Sequence, residues 1–147
     1  MDTPLTFDVS ELNKKSEGSI FEYSLDVEVD FNEPTIVARS NLTGRVFIMK
    51  LKEGFHVQIK GIGIDVELKC GKCAEIYTQK VEIPSAELLY LNEPSKQMEL
   101  QKDLSYVDVK KWTLDITEFL RQEIILHFPL IPVCSTRCKG INLEKNV

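Results

Sequence analysis

The sequence predicts an α+β protein built on a curved antiparallel β-sheet, partly barrel-like, with a C-terminal helix and a four-cysteine zinc-type site. Three observations predict this class. Apolar and polar residues alternate along most of the chain, one clear helical pattern follows the strands, and four cysteines occur as two pairs. Strands followed by a late helix are typical of α+β folds. The 147 residues, 43% of them hydrophobic, suffice for one core, so residues 1–147 are predicted to be a single domain.

The first elements are a short helix and a half-buried strand. The helix is predicted over residues 9–15, with Gly18 beyond its end. Apolar residues then alternate without a break from Phe21 to Phe31, which predicts a strand with one face on the core. Pro34 ends this strand. Its other face carries an acidic row that looks toward water or a basic partner: Glu22, Asp26, Glu28 and Asp30.

Three further strand regions follow. Residues 35–51 are predicted to be a strand region interrupted near residues 41–44, where the sequence favours a turn or bulge. Residues 55–70 form the third region, and its apolar phase slips by one at Gly61, which predicts a β-bulge. The fourth covers residues 76–83, with 86–91 as an extension. Residues 92–105 are polar and are predicted to be a flexible connection.

The helix signal lies after these strands. Asp115 is an N-cap candidate with Glu118 three positions on, and Pro129 sets the latest end. The apolar residues between them follow helical spacing, and they are Ile116, Phe119, Leu120 and Ile124.

Charge is distributed unevenly. The net charge is −5, yet residues 1–34 carry nine acids and two bases, and residues 35–64 carry five bases and one acid. Negative overall charge disfavours unspecific nucleic-acid binding. Two arrangements remain open, one with acidic and basic strands side by side and one with a local basic binding face.

Membrane association is not predicted. No run approaches the ~20 apolar residues of a membrane-spanning helix. Residues 1–10 lack the basic and apolar regions of a secretory signal, which predicts a cytoplasmic protein.

The cysteines carry the strongest chemical signal. They form two pairs, Cys70-Gly-Lys-Cys73 and Cys134-Ser-Thr-Arg-Cys138. Two close pairs with no surplus thiol match the tetrahedral four-thiolate coordination of a structural zinc ion. Such an ion would tie the segment after the helix onto the strand ending at Leu68, and its binding energy would be folding energy. Four basic residues beside the ligands would offset the negative site, and they are Lys69, Lys72, Arg137 and Lys139.

Other interpretations of the cysteines and of the chemistry are weaker. The thiols could be small buried hydrophobes or unpaired. A redox Cys-x-x-Cys needs a pair that opens a helix, whereas strand is predicted after Cys73. The two histidines, His56 and His127, have no catalytic motif around them. Neither an enzyme nor a small-molecule substrate is therefore predicted.

Three segments, in this order, resemble the YceD family, the large ribosomal RNA subunit accumulation proteins of bacteria and plastids. They are Val66-Glu-Leu-Lys-Cys70-Gly-Lys-Cys73, the helix and Pro-rich stretch from Phe119 to Cys134, and Cys138-Lys-Gly140 followed by Asn142-Leu143. Many relatives carry another cysteine pair before the Asn-Leu, but here Ile141 follows Gly140 directly. This sequence therefore has four candidate ligands.

The resemblance implies a non-enzymatic factor in large-subunit ribosomal RNA accumulation or ribosome assembly. If its partner is that RNA, the four basic residues beside the cysteines are expected to contact phosphates. If its partner is a basic large-subunit ribosomal protein, the acidic row is the better surface. A metal-free protein-interaction domain is the alternative.

Overall fold

The fold consists of eight strands and two helices over the residues that this computed structural model describes, which are 5–32, 34–92 and 105–135. In chain order they are β1 (Thr6–Asp8), α1 (Ser10–Asn13), β2 (Ile20–Val27), β3 (Val37–Ala38), β4 (Leu42–Lys50), β5 (Gly54–Lys69), β6 (Ile76–Leu91), β7 (Ser105–Tyr106), β8 (Thr113–Asp115) and α2 (Thr117–Leu126). The predicted connection at 92–105 falls mainly on residues 93–104, which lie outside the described residues.

The strands form two sheets. The larger has the order β2-β4-β5-β6-β7, with β3 beside β5, and the smaller pairs β1 with β8. All pairings are antiparallel except β6 with β7, so the predicted antiparallel sheet and late helix are confirmed. The expectation of a partly barrel-like sheet is not confirmed. Among the described strands no sheet is closed into a barrel, because β2 and β7 end the order without pairing.

Strand β2 confirms the half-buried strand that alternation predicts. Leu25 is buried, and Phe21, Tyr23 and Val27 pack partly buried against the core. The strand ends at Val27, earlier than the predicted Phe31, so the last two residues of the acidic row lie beyond it. The next region is interrupted at residues 39–41, between β3 and β4, slightly before the predicted 41–44, and the predicted range itself contains the register shift between Thr43 and Arg45.

The predicted bulge at Gly61 is confirmed. The register between β4 and β5 shifts between Thr43 and Arg45, and Gly61 has a φ of +60°, a conformation that glycine adopts without steric cost. Strands β5 and β6 keep a single register through the same point, with Pro84 across from Gly61. Because proline has no backbone N–H group, the unpaired position opposite Gly61 leaves no hydrogen-bond donor of β6 without an acceptor.

Helix α2 buries Phe119, Leu120 and Ile124, as its spacing predicts. It begins at Thr117, two residues after the predicted cap, because Asp115 is the last residue of β8. The Asp115 carboxylate still accepts a hydrogen bond from the Thr117 N–H at 2.8 Å, which satisfies a first-turn donor. Over the described parts of the chain, neither helix has the length and apolar character that a membrane crossing requires.

The Tyr90 hydroxyl links the large sheet to the start of α2. It donates to the Asp115 carbonyl at 2.9 Å, and Tyr90 is buried. We expect Tyr90→Phe to lower the free energy of unfolding by about 1 kcal/mol, because the hydrogen bond from the Tyr90 hydroxyl to the Asp115 carbonyl is lost. Tyr106 on the adjacent strand is the matched control. Its buried hydroxyl has no partner among the described residues, so Tyr106→Phe should be neutral or stabilising in urea titrations. Equal decreases in the free energy of unfolding in both variants would contradict a stabilising role for the hydrogen bond from Tyr90 to Asp115.

Candidate metal centre

The first cysteine pair lies in the loop that joins β5 to β6. Lys69 pairs with Ile76, so residues 70–75 form the connection. The Cys70 N–H donates to the Glu75 carbonyl at 2.8 Å, and the Ala74 N–H donates to the Cys70 carbonyl at 2.9 Å. Ala74 has a φ of +65°, a left-handed conformation that turns the chain back toward β6. The loop is therefore closed by its own backbone, and both of its cysteines are held on it.

The segment after α2 crosses this loop. The Gly71 N–H donates to the Pro132 carbonyl at 2.7 Å, and the Cys134 N–H donates to the Cys70 Sγ at 3.3 Å. A Cβ atom at position 71 would lie 3.2 Å from the Pro132 oxygen, so glycine permits the close approach. The predicted contact between the C-terminal segment and the loop after Leu68 is present.

Three sulfurs converge where the two segments meet. The Sγ atoms of Cys70, Cys73 and Cys134 all lie within 4.8 Å of one another. The Sγ atoms of Cys73 and Cys134 are 3.6 Å apart. A tetrahedral zinc ion with Zn–S bonds of about 2.3 Å places its sulfurs about 3.8 Å apart. The cluster thus has the donor type and the spacing of three ligands of such an ion.

The surroundings of the Cys70 sulfur stabilise its thiolate form. Burial raises the pKa of this thiol, but hydrogen bonds from the backbone N–H groups of Cys73, Lys72 and Cys134 lower it, and the net pKa is about 6. Cys70 is 2% exposed, whereas Cys73 and Cys134 are half-buried. At neutral pH Cys70 is therefore mainly a thiolate, the form that binds metals.

Tyr77 also belongs to this cluster. Burial raises the pKa of its hydroxyl, and the negative charges of Cys70 and Cys134 raise it further. A backbone hydrogen bond with Val133 opposes that shift and holds the ring against the C-terminal segment. The sequence gives no hint of this role, because a single tyrosine at the start of a strand fits ordinary packing equally well.

The structure brings together part of the predicted site. Lys69 and Lys72 are exposed beside the cysteine loop. Cys138, Arg137 and Lys139 lie outside the described residues. The described residues thus include three of the four predicted ligands and two of the four basic residues, and both metal binding and phosphate contact stay predictions.

The acidic row is exposed, and most of its carboxylates have partners. Glu22 Oε1 lies 3.7 Å from Arg45 Nη1, so one acid of β2 does pair with a base of β4. Asp26 accepts a hydrogen bond from the Asn41 side chain at 2.9 Å. Asp30 accepts one from the Asn32 backbone N–H at 2.8 Å. Glu28 is exposed.

Comparison with known proteins gives one match. The family described as "Large ribosomal RNA subunit accumulation protein YceD" matches residues 61–147, more than half of the chain, including both cysteine pairs. No curated protein and no solved structure matches the chain significantly.

Proposed function

This chain belongs to the YceD family of large ribosomal RNA subunit accumulation proteins, and we propose that it acts in that process as a non-enzymatic, zinc-stabilised assembly factor. The family description supports the process. The convergence of three cysteine sulfurs from two distant segments supports the metal. Residues 1–147 are proposed to be a single domain of this family.

The proposed ligands are Cys70, Cys73, Cys134 and Cys138. The first three fit a tetrahedral thiolate site in donor type and spacing. Cys138 follows Cys134 by four positions, a spacing at which one turn presents two sulfurs to one ion. Because four thiolates leave no open coordination position, such a site is structural and not catalytic.

The proposed role of the site is mechanical. The loop between β5 and β6 and the segment after α2 already share two backbone hydrogen bonds, from Gly71 and from Cys134. Bound zinc would add bonds between the same two segments, so it would hold residues 129–135 and the helix before them in place.

The proposed partner is large-subunit ribosomal RNA or a basic large-subunit ribosomal protein. Lys69 and Lys72 are exposed at the cysteine loop, and together with Arg137 and Lys139 they would contact phosphates. The acidic row of Glu22, Asp26, Glu28 and Asp30 would serve a basic protein, although the contacts of Glu22 with Arg45 and of Asp26 with Asn41 weaken that surface. The expected cytoplasmic location stays a prediction.

Metal content tests the proposal most directly. We expect elemental analysis of the full chain, purified without chelator, to find about one zinc per chain, since four thiolates complete one tetrahedral site. The thiols should react slowly with a thiol reagent until a chelator is added. A chain with no bound metal and four rapidly reacting thiols would contradict the zinc proposal and favour a metal-free interaction domain.

A further inference from the structure

The solvent-exposed face of the large sheet carries a row of polar side chains across four strands. The registers pair Ser24 with Arg45, Arg45 with Lys60, and Lys60 with Ser85. The neighbours of these residues along each strand, such as Val46 and Ile59, are buried on the opposite face. Two cations therefore stand side by side at the centre of an open sheet face.

A concave groove lies at this row, beside the bulge. It encloses about 520 Å³ and is lined by Ser24, Gly44, Arg45, Phe47, Lys60 and Gly61. Glycines at positions 44 and 61 leave the floor without side chains. Gly44 has a φ of +146°, and a Cβ atom there would lie 2.5 Å from Cδ1 of the buried Ile62, so packing against Ile62 requires glycine at this position.

The charges on this face leave one cation available. Of its three nearby glutamates, Glu22 pairs with Arg45 at 3.7 Å and Glu82 with Lys80 at 3.2 Å, and Glu87 Oε2 lies 3.1 Å from His56 Nε2. Among the described residues Lys60 makes no ion pair. Its Nζ lies instead 5.3 Å from the centroid of the Phe47 ring, which is half-buried in the groove.

We propose that this groove binds single-stranded RNA, with a phosphate at Lys60 and a base on the Phe47 ring. The inference rests on the proposed function and adds a second RNA-contacting surface to the one proposed at the cysteine loop. Exposed cations beside an aromatic ring supply the two interactions that single-stranded nucleic acid needs, charge for the backbone and stacking for the base. Duplex RNA offers no splayed base to the ring and gains only the charge term.

Binding of a labelled single-stranded RNA of mixed sequence, followed by fluorescence anisotropy at several salt concentrations, tests the proposal. We expect Lys60→Gln in the full chain to weaken binding and to reduce the slope of log K against log salt by about 1, since one phosphate contact is lost. Phe47→Leu should weaken binding about 5- to 150-fold while leaving the salt slope unchanged, because stacking carries no charge.

Lys80→Gln is the matched control. It removes one positive charge from the same sheet face, but Lys80 is paired with Glu82 and does not line the groove. It should leave affinity within about twofold, as expected for a surface pair outside the site. Thermal unfolding of each variant separates a folding defect from a binding defect, and Lys60→Gln, at an exposed side chain, keeps the test valid if Phe47→Leu unfolds.

Three outcomes would overturn the inference. In the first, the wild-type chain binds RNA, Lys60→Gln and Phe47→Leu leave the affinity unchanged, and the double variant Lys69→Gln with Lys72→Gln abolishes binding. This outcome keeps the proposed function and assigns RNA binding to the cysteine loop. The second is equal weakening by Lys60→Gln and Lys80→Gln. The third is a zinc-loaded chain that binds a basic ribosomal protein and no RNA.

Discussion

Cys70→Ser is expected to abolish stoichiometric zinc binding and to release the segment after α2 from the β5–β6 loop. Cys70 is the buried member of the cluster, and its sulfur also accepts the Cys134 N–H at 3.3 Å. A serine hydroxyl is shorter, is not ionised at neutral pH and is a poor zinc ligand. We expect zinc affinity to fall at least about 100-fold, the upper end of what removal of a mere supporting contact costs.

Loss of the metal should loosen the segment after α2 without unfolding the sheet. The hydrophobic core does not depend on the cysteines, so circular dichroism should keep the sheet signal while amide exchange accelerates in residues 127–135. Ser135→Ala is the control, because it changes the residue next to Cys134 and keeps every sulfur. Undiminished zinc content in Cys70→Ser would remove this residue from the ligand set.

Gly54→Ala should be the most damaging of the glycine substitutions within the described residues. A Cβ atom at this position would lie 2.0 Å from the Tyr90 carbonyl oxygen and 3.0 Å from the Leu91 Cα. Both atoms belong to the backbone of β6, so the strands must separate where β5 begins. We expect the free energy of unfolding to fall by about 3 kcal/mol or more, and the melting temperature by roughly 10 °C.

Gly63→Ala provides the comparison within the same strand. Its added Cβ would meet only the Thr43 Oγ1, at 3.5 Å, an ordinary contact. We expect a change within about 1 kcal/mol, measured by the same urea and thermal titrations. If both substitutions lowered the free energy of unfolding by similar amounts, the close approach of Gly54 to the Tyr90 carbonyl would not explain the effect at position 54.

The long strands and α2 could be predicted because each has a strong hydrophobic period. Leu25 and its alternate neighbours mark β2, and the phase slip at Gly61 locates the bulge within one residue. The short elements could not be predicted. Strands β7 and β8 contain two and three residues, too few for any period, and only tertiary contacts pair them with β6 and β1.

The cysteine cluster could be predicted in part. Pair spacing indicates that Cys70 and Cys73 share a turn, and ligand number brings Cys134 to them. Tyr77 lies beside the cysteines because it pairs with Leu68 across the β5–β6 hairpin. This pairing could not be predicted, because the sequence of one strand does not define its register with the next. The groove at Lys60 depends on register in the same way, because its residues come from β2, β4 and β5.

The order of the strands has a consequence for folding kinetics. From β2 through β4, β5 and β6, neighbours in the large sheet are also neighbours in the chain apart from the short β3, so these pairings close short loops at low entropic cost. The β1–β8 pairing joins Phe7 to Leu114, and the cysteine cluster joins two segments that lie 61 positions apart. Contacts at such separation form late. The two ends of the fold are therefore expected to dock last, onto a meander that has already formed.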